Sequence, residues 1–242
     1  MQKMLEGKKV ILFDFDGTLV DSVGVWNEVD RKLIEELGGK EDQEAVIQEQ
    51  RDSVLRKFST VKNPYEEYCG YLGKKYGSSM RPEEIVKLRY QIANEYLTNV
   101  IDYKPDTETF LKKLKNAGFT LVIATTTKKT NMDIYRSANK NIMAKAPLEE
   151  YFTKIYTRED AKEIKPNPEI YYRVMDELQV TAGECLIFED SLIGIEAANR
   201  AGIQVAAMYD KYSDHERDEI NARADYHFDS YGDVLKEVEK EI

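Results

Sequence analysis

Short apolar runs alternate with helix-like segments over much of the chain. The clearest strand-like runs are residues 10–13, 119–124, 185–188 and 203–207, and weaker candidates are 154–157 and 226–228. Between several of these runs, apolar residues recur at helical spacing, in residues 107–116, 168–178 and 191–200. Near-continuous apolar strands that alternate with helices are typical of a parallel sheet with both faces covered. The pattern therefore predicts an α/β core.

Residues 23–100 show a different pattern. No strand-like run occurs there, and four amphipathic stripes follow one another, at residues 26–37, 54–58, 65–76 and 85–96. Apolar residues three and four positions apart are typical of helices that bury one face. We therefore predict an all-helical domain of residues 23–100, inserted into an α/β core of residues 1–22 and 101–242.

Charge and composition exclude several classes of partner. The chain has 35 Lys and Arg against 45 Asp and Glu, a net charge of −10, and no basic run offsets this balance. We therefore expect neither a nucleic acid nor an anionic membrane surface as a partner. No apolar stretch approaches the roughly 18 residues of a membrane span. Two cysteines far apart in sequence, and a polar N-terminal segment with no apolar stretch behind it, favour the cytoplasm.

Polar side chains stand where three of the apolar runs end. They are Asp14, Asp16, Thr125, Glu189 and Asp190. Lys165 precedes a predicted helix in the same half of the chain. Because an open parallel sheet binds its ligand at the carboxyl ends of its strands, we expect these four carboxylates, one hydroxyl and one lysine to converge at one edge.

This set of side chains favours magnesium and phosphate chemistry. Two carboxylates 4 Å apart repel by about 4 kcal/mol at an effective dielectric near 20, and a divalent cation relieves that repulsion. Ligands that are all oxygen favour Mg²⁺ over Zn²⁺. A phosphate group completes the charge balance, with Lys165 and the Thr125 hydroxyl as donors. The two histidines, His215 and His227, lie outside these segments, so a carboxylate must serve as general acid and base.

The segment DFDGTLVDS at residues 14–22 resembles the first motif of the haloacid dehalogenase-like (HAD) superfamily. The other three motifs of its phosphotransfer members follow in order: a strand ending in Thr125, Lys165 within KPNP, and FEDSLIGIEAA at residues 188–198. The resemblance covers essentially the whole chain. It implies a Rossmann-like parallel-sheet core with an inserted all-helical, C1-type cap, as in subfamily I, and a monomer as the default state.

The resemblance also implies a role for each candidate residue. Asp14 is the expected nucleophile, which forms an aspartyl-phosphate, and Asp16 is expected to protonate the leaving oxygen and then to activate water. The expected phosphate-binding residues are Thr125, Thr126 and Lys165. The expected ligands of Mg²⁺ are Asp14, Asp16 through its backbone carbonyl, Asp190, and Glu189 directly or through water.

Three activities fit this set of motifs. The one we favour is Mg²⁺-dependent hydrolysis of a small phosphorylated metabolite. The second is a phosphosugar mutase similar to β-phosphoglucomutase, but Trp26 stands where that subfamily has a histidine. The third is a non-catalytic binding or regulatory protein, against which the intact pair of Asp14 and Asp16 argues. In the predicted cap, we interpret Arg51, Arg56 and Lys57 as a solvated helix face rather than a site for an anion.

Overall fold

The chain divides into two units. The computed structural model describes residues 3–41, 43–58, 61, 63–239 and 241, apart from the side chains of Asp52 and Arg56. One unit consists of Met1–Ser22 and Ile101–Ile242, and the other of Val23–Val100. We call the first the core unit and the second the helical unit.

The core unit contains a six-stranded parallel sheet in the described part of the chain. Its strands are β1 (Val10–Phe13), β2 (Thr120–Ala124), β3 (Lys154–Tyr156), β4 (Cys185–Glu189), β5 (Gln204–Met208) and β6 (Tyr226–Phe228). The strand order is β3-β2-β1-β4-β5-β6. The order reverses beside β1, and in doubly wound folds ligands bind at the carboxyl edge of that position. The predicted α/β fold with a Rossmann-like parallel sheet is confirmed.

Four helices form the described part of the helical unit. They are α1 (Val25–Glu36), α2 (Glu44–Lys57), α3 (Pro64–Lys75) and α4 (Pro82–Asn99). Pro64 and Pro82 stand in the first turn of their helices, where a missing N–H removes no helical hydrogen bond. The apolar faces meet in a buried cluster that includes Leu33, Leu72 and Ile85. Each helix corresponds to one amphipathic stripe of the sequence.

One interpretation of this segment is wrong. Arg51, which we assigned to a solvated face, has a side chain only 11% exposed, because its guanidinium donates to the buried carboxylate of Asp30. Lys57 is exposed. The Arg56 side chain lies outside the described part of the chain.

The remaining described helices belong to the core unit. They are α5 (Thr107–Asn116), α6 (Lys129–Ser137), α7 (Lys140–Lys145), α8 (Leu148–Tyr151), α9 (Glu169–Leu178), α10 (Leu192–Ala201), α11 (Arg217–Arg223) and α12 (Tyr231–Val238). The periodicity of apolar residues predicted α5, α9 and α10. Pro168 is the N-cap residue of α9, and its ψ of 6° departs from the helical value.

Both faces of the sheet are covered where β1 and β4 end. On one face, the ring of Phe13 stacks on that of Phe188 at 5.2 Å between centroids, and Phe110 of α5 contacts Phe188 edge-on. The other face of the sheet packs against α9 and α10. Since Phe13 and Phe188 are paired in register, Asp14 and Glu189 follow side by side at the carboxyl edge.

The two cysteines are buried free thiols. Burial raises the pKa of Cys69 to about 12 and that of Cys185 to about 11, so both stay protonated and unreactive at neutral pH. In the described residues, no helix combines the length and the apolar character that crossing a bilayer requires.

Candidate active site

A buried lysine lies between two carboxylates at the carboxyl ends of β1 and β4. Lys165 Nζ donates to Asp14 Oδ1 at 2.6 Å and to Glu189 Oε1 at 2.8 Å. The lysine is 3% exposed. Burial by itself lowers the pKa of Lys165, but the two carboxylates outweigh it and raise that pKa well above its ordinary value. The lysine therefore stays charged and holds its place between Asp14 and Glu189.

The start of α10 anchors the second oxygen of Glu189. Glu189 Oε2 accepts hydrogen bonds from the backbone N–H of Asp190 at 2.8 Å, and from the N–H and hydroxyl of Ser191 at 2.9 Å each. Gly194 leaves the room for this carboxylate, because a Cβ there would lie 1.6 Å from Glu189 Oε1. Both oxygens of Glu189 are thus engaged with the protein, and this carboxylate orients Lys165.

Burial disfavours the ionised forms of Asp14 and Asp190. Asp190 is 5% exposed, and its Oδ1 accepts from the Thr18 hydroxyl at 2.7 Å. Burial, and then the charges of Glu189 and Asp14, raise the pKa of Asp190 well above its usual range. Burial also raises the pKa of Asp14 to about 7, although Lys165 opposes that shift.

The donor set fits a hard divalent cation. The carboxylates of Asp14, Glu189 and Asp190 are all buried, and the buried ammonium group of Lys165 contacts the first two of them. Among the described residues no three His, Cys, Asp or Glu side chains form a ready ligand cluster. Glu189 Oε1 accepts from Lys165. Mg²⁺ is commonly held by one or two carboxylates and completes its shell with water and phosphate oxygens. Asp14 and Asp190 are the two side chains that suit this arrangement.

Three hydroxyl groups surround the carboxylate of Asp16. Ser22 Oγ donates to Oδ1 at 2.5 Å, Thr127 Oγ1 donates to Oδ2, and the Tyr135 hydroxyl lies 3.5 Å from Oδ1. Burial raises the pKa of Asp16, while these three donors lower it. A raised pKa favours the protonated form of this carboxyl group, as a general acid requires.

The roles of Thr127 and Tyr135 were not identified from the sequence. Ser22 lies within the first motif, so its proximity to Asp16 could have been anticipated. Thr127 follows β2, and Tyr135 lies on α6, 119 residues from Asp16. The Tyr135 ring contacts Phe15, which follows β1, at 4.7 Å between centroids, and this long-range contact places the hydroxyl near Asp16.

The three predicted phosphate-binding residues line one cleft. Thr125, Thr126 and Lys165 share it with Thr157 and Arg158. Thr125 is buried, and its backbone N–H donates to the carbonyl of Tyr156 at the end of β3. The structure therefore brings the donors at the ends of β2 and β3 together with the lysine that contacts Asp14.

Comparison with known proteins places this chain in a family. The family described as haloacid dehalogenase-like hydrolase matches residues 11–208. The chain belongs to this family. The provisionally named phosphatase YhcW of Bacillus subtilis is 28% identical over 203 residues, 84% of each chain. The phosphorylated carbohydrates phosphatase of Thermotoga maritima is 26% identical over 196 residues, 81% of this chain and 82% of that protein.

Solved structures of HAD proteins share the fold. The crystal structure of a Thermotoga maritima protein provisionally named β-phosphoglucomutase matches with a TM-score of 0.75 at 22% identity. The match covers 97% of this HAD chain and 100% of that chain. The family resemblance of the four sequence motifs is confirmed.

Proposed function

We propose that this HAD chain is a Mg²⁺-dependent phosphatase that hydrolyses phosphomonoesters of small metabolites. The observation that carries the proposal is the Asp14 carboxylate 2.6 Å from the buried Lys165 ammonium, with Asp16 two residues further along. Two carboxyl groups in different surroundings can divide the roles of nucleophile and general acid and base. The two relatives named as phosphatases support this assignment.

In the first half of the reaction, an Asp14 carboxylate oxygen attacks phosphorus. The bond from phosphorus to the leaving oxygen breaks as the aspartyl-phosphate forms, and Asp16 gives its proton to the leaving oxygen. Lys165 favours the ionised form of Asp14 beforehand and offsets phosphoryl charge during the transfer, together with the Thr125 hydroxyl. Asp14, Asp190 and the Asp16 carbonyl would hold the Mg²⁺ ion, which would supply further neutralisation of phosphoryl charge.

In the second half, Asp16 is the base. Its carboxylate takes a proton from a water molecule, whose oxygen attacks phosphorus and displaces Asp14. Inorganic phosphate leaves, and both aspartates return to their starting protonation states. We propose that Ser22, Thr127 and Tyr135 keep the Asp16 carboxylate in place between these steps.

A phosphorylated sugar or a similar small metabolite is the substrate class we propose. The Thermotoga maritima relative is named for phosphorylated carbohydrates. We also propose a cytoplasmic location, supported by two free thiols, and a monomer, which size-exclusion chromatography tests.

The deciding experiment measures phosphate release from a panel of sugar phosphates, nucleotides, phosphoglycolate and pyrophosphate, with Mg²⁺ and with EDTA. We expect turnover that requires Mg²⁺. Asp14→Asn should lower it by about a thousandfold or more, because the nucleophile is lost. Asp21→Asn, an exposed aspartate of the same motif, is the matched control and should remain active. Substantial activity in Asp14→Asn would refute the proposal.

A mutase is the second candidate, since the fold matches that of a protein provisionally named β-phosphoglucomutase. Trp26 at the position of the mutase histidine argues against it. Assaying β-glucose 1-phosphate for both glucose 6-phosphate and inorganic phosphate separates the two activities. Isomerisation faster than phosphate release would replace our proposal with the mutase.

A further inference from the structure

Arg89 is buried within the helical unit, where it contacts two aromatic rings. It is 4% exposed, and its guanidinium carbon lies 5.2 Å from the ring centroid of Trp26 and 4.9 Å from that of Tyr65. Arg89 Nε donates to Asp30 Oδ1 at 2.6 Å, and Asp30 is fully buried. Contacts with two aromatic rings and an ion pair at Nε hold this guanidinium in place.

The other edge of the guanidinium is unused. Arginine has five N–H donors, and in the described part of the chain only that on Arg89 Nε has an acceptor. The two Nη groups are not among the fully enclosed atoms that lack a partner, so solvent reaches them. An arginine guanidinium frequently pairs with a carboxylate or phosphate through two parallel N–H···O hydrogen bonds. An anion with two oxygens would complete the pairing of Arg89.

Two features around Arg89 favour the binding of such an anion: Asp30 also pairs with a second arginine, and a buried hydroxyl has no hydrogen-bond partner among the described residues. Asp30 divides its charge, because its Oδ2 accepts from Arg51 at 2.9 Å while Oδ1 serves Arg89. The Tyr68 hydroxyl is fully enclosed and has no hydrogen-bond partner among the described residues. It lies close enough to Asp30 and Arg89 for their charges to shift its pKa. An enclosed polar group without a partner is uncommon and calls for a structural or functional reason.

We propose that Arg89 is the centre of an anion-binding site in the helical unit, which takes a carboxylate or phosphate group on its two Nη groups. The planar fork matches both groups in a bidentate manner. Because Trp26, Tyr65 and Asp30 already hold the guanidinium, little side-chain freedom is lost on binding.

Arg89, Trp26, Tyr65 and Asp30 all belong to the helical unit. The ligand we propose is therefore a separate small anion bound within that unit, and the proposal does not rest on the phosphatase activity.

The test of the site uses the fluorescence of Trp26, which is the sole tryptophan in the sequence. The full chain is titrated with sulfate at constant ionic strength, and we expect a saturable change in emission. Arg89→Lys retains a positive charge for Asp30 but removes the fork, and should weaken sulfate binding about tenfold, or ~1.4 kcal/mol. Arg31→Lys removes a guanidinium from surface ion pairs on α1 and should leave the dissociation constant unchanged.

Binding of sulfate in the core unit has to be distinguished from binding at Arg89. In Thr125→Val the fluorescence response should persist with the same dissociation constant, since Thr125 is a core residue. A response that Thr125→Val weakens and Arg89→Lys leaves intact would overturn the proposal, as would the absence of any saturable response. If Arg89→Lys does not fold by circular dichroism, the double variant Asp30→Asn, Arg89→Gln replaces it, with the same expected loss.

Discussion

Because Gly194 has no side chain, the Glu189 carboxylate can occupy the position in which it accepts a hydrogen bond from Lys165. An added Cβ would overlap Glu189 Oε1, 1.6 Å away, and that oxygen is the one that accepts from Lys165. The Glu189 carboxylate would have to move, so a side chain at Gly194 should disturb the contact with Lys165 as well as overpack the core.

We expect Gly194→Ala to lower kcat at least tenfold and to destabilise the fold by about 1–3 kcal/mol, the range for overpacked cores. Urea denaturation and phosphate release measure the two effects. Gly183→Ala is the matched control, because a Cβ at Gly183 meets no atom within 4 Å. Similar kinetics for both variants would contradict the role of Gly194.

A second prediction at the scale of one residue concerns the Thr127 hydroxyl, which donates to Asp16. Thr127→Val keeps the shape of the side chain and removes the donor. Loss of a hydrogen bond to a charged group changes the free energy by about 1.5–3 kcal/mol, so kcat should fall about tenfold or more while KM changes little. Thr130→Val, at an exposed position of α6, should match the unmodified protein. An equal rise in KM would instead indicate a role in phosphate binding.

At the scale of elements, the residue that caps the start of α10 also binds a carboxylate of the candidate active site at the end of β4. The Ser191 hydroxyl accepts from the N–H of Gly194, as an N-cap residue does, and also donates to Glu189 Oε2. Ser230 caps α12 in the same way, through the N–H of Asp233, at an exposed position.

Comparing variants of these two N-cap residues distinguishes an effect on stability from an effect on catalysis. Ser191→Ala and Ser230→Ala should each destabilise the protein by about 1 kcal/mol, the usual effect of losing an N-cap. Only Ser191→Ala should also lower kcat, because only Ser191 helps to hold the carboxylate that orients Lys165. Thermal unfolding and steady-state kinetics of both variants provide the comparison. A loss of kcat in Ser230→Ala of the same size would show that stability alone accounts for the effect.

At the scale of the whole molecule, buried carboxylates make the stability of the metal-free protein depend on pH. The pKa values of Asp14, Asp16 and Asp190 are raised in the folded state, chiefly by burial, and that of Asp14 is about 7. The folded state therefore binds more protons than the unfolded state between the ordinary pKa, about 3.9, and these raised values. Stability in this window falls as pH rises.

In EDTA, we expect the free energy of unfolding to increase as pH is lowered from about 8 toward 5, by up to about 1.4 kcal/mol per pH unit for each titrating group. Saturating Mg²⁺ should stabilise the protein at the upper end of this range and have little effect at the lower end, since it binds ionised carboxylates. Urea denaturation across the range, with EDTA or Mg²⁺, measures both. Stability in EDTA that increases steadily from pH 5 to pH 8 would contradict this account.

The sequence by itself determined the features whose residues are neighbours along the chain. A strand buried on both faces needs consecutive apolar residues, so β1, β2, β4 and β5 were predicted to within about two residues. The candidate residues at the strand ends were predicted for the same reason, because each directly follows such a run. The helices α6, α7, α8, α11 and α12 were missed, since four to nine residues span too few turns for a periodic pattern.

The partners of the buried Lys165 and Arg89 were decided only by the tertiary structure. Lys165 contacts Asp14 across 151 residues of sequence, and Arg89 contacts Asp30 across 59. Such pairs depend on the register of parallel strands and on the packing angle of helices. The local periodicity of hydrophobic residues specifies neither of these. For that reason Glu189 was recognised as a candidate ligand but not as the anchor of Lys165, and the buried cluster around Arg89 was not predicted at all.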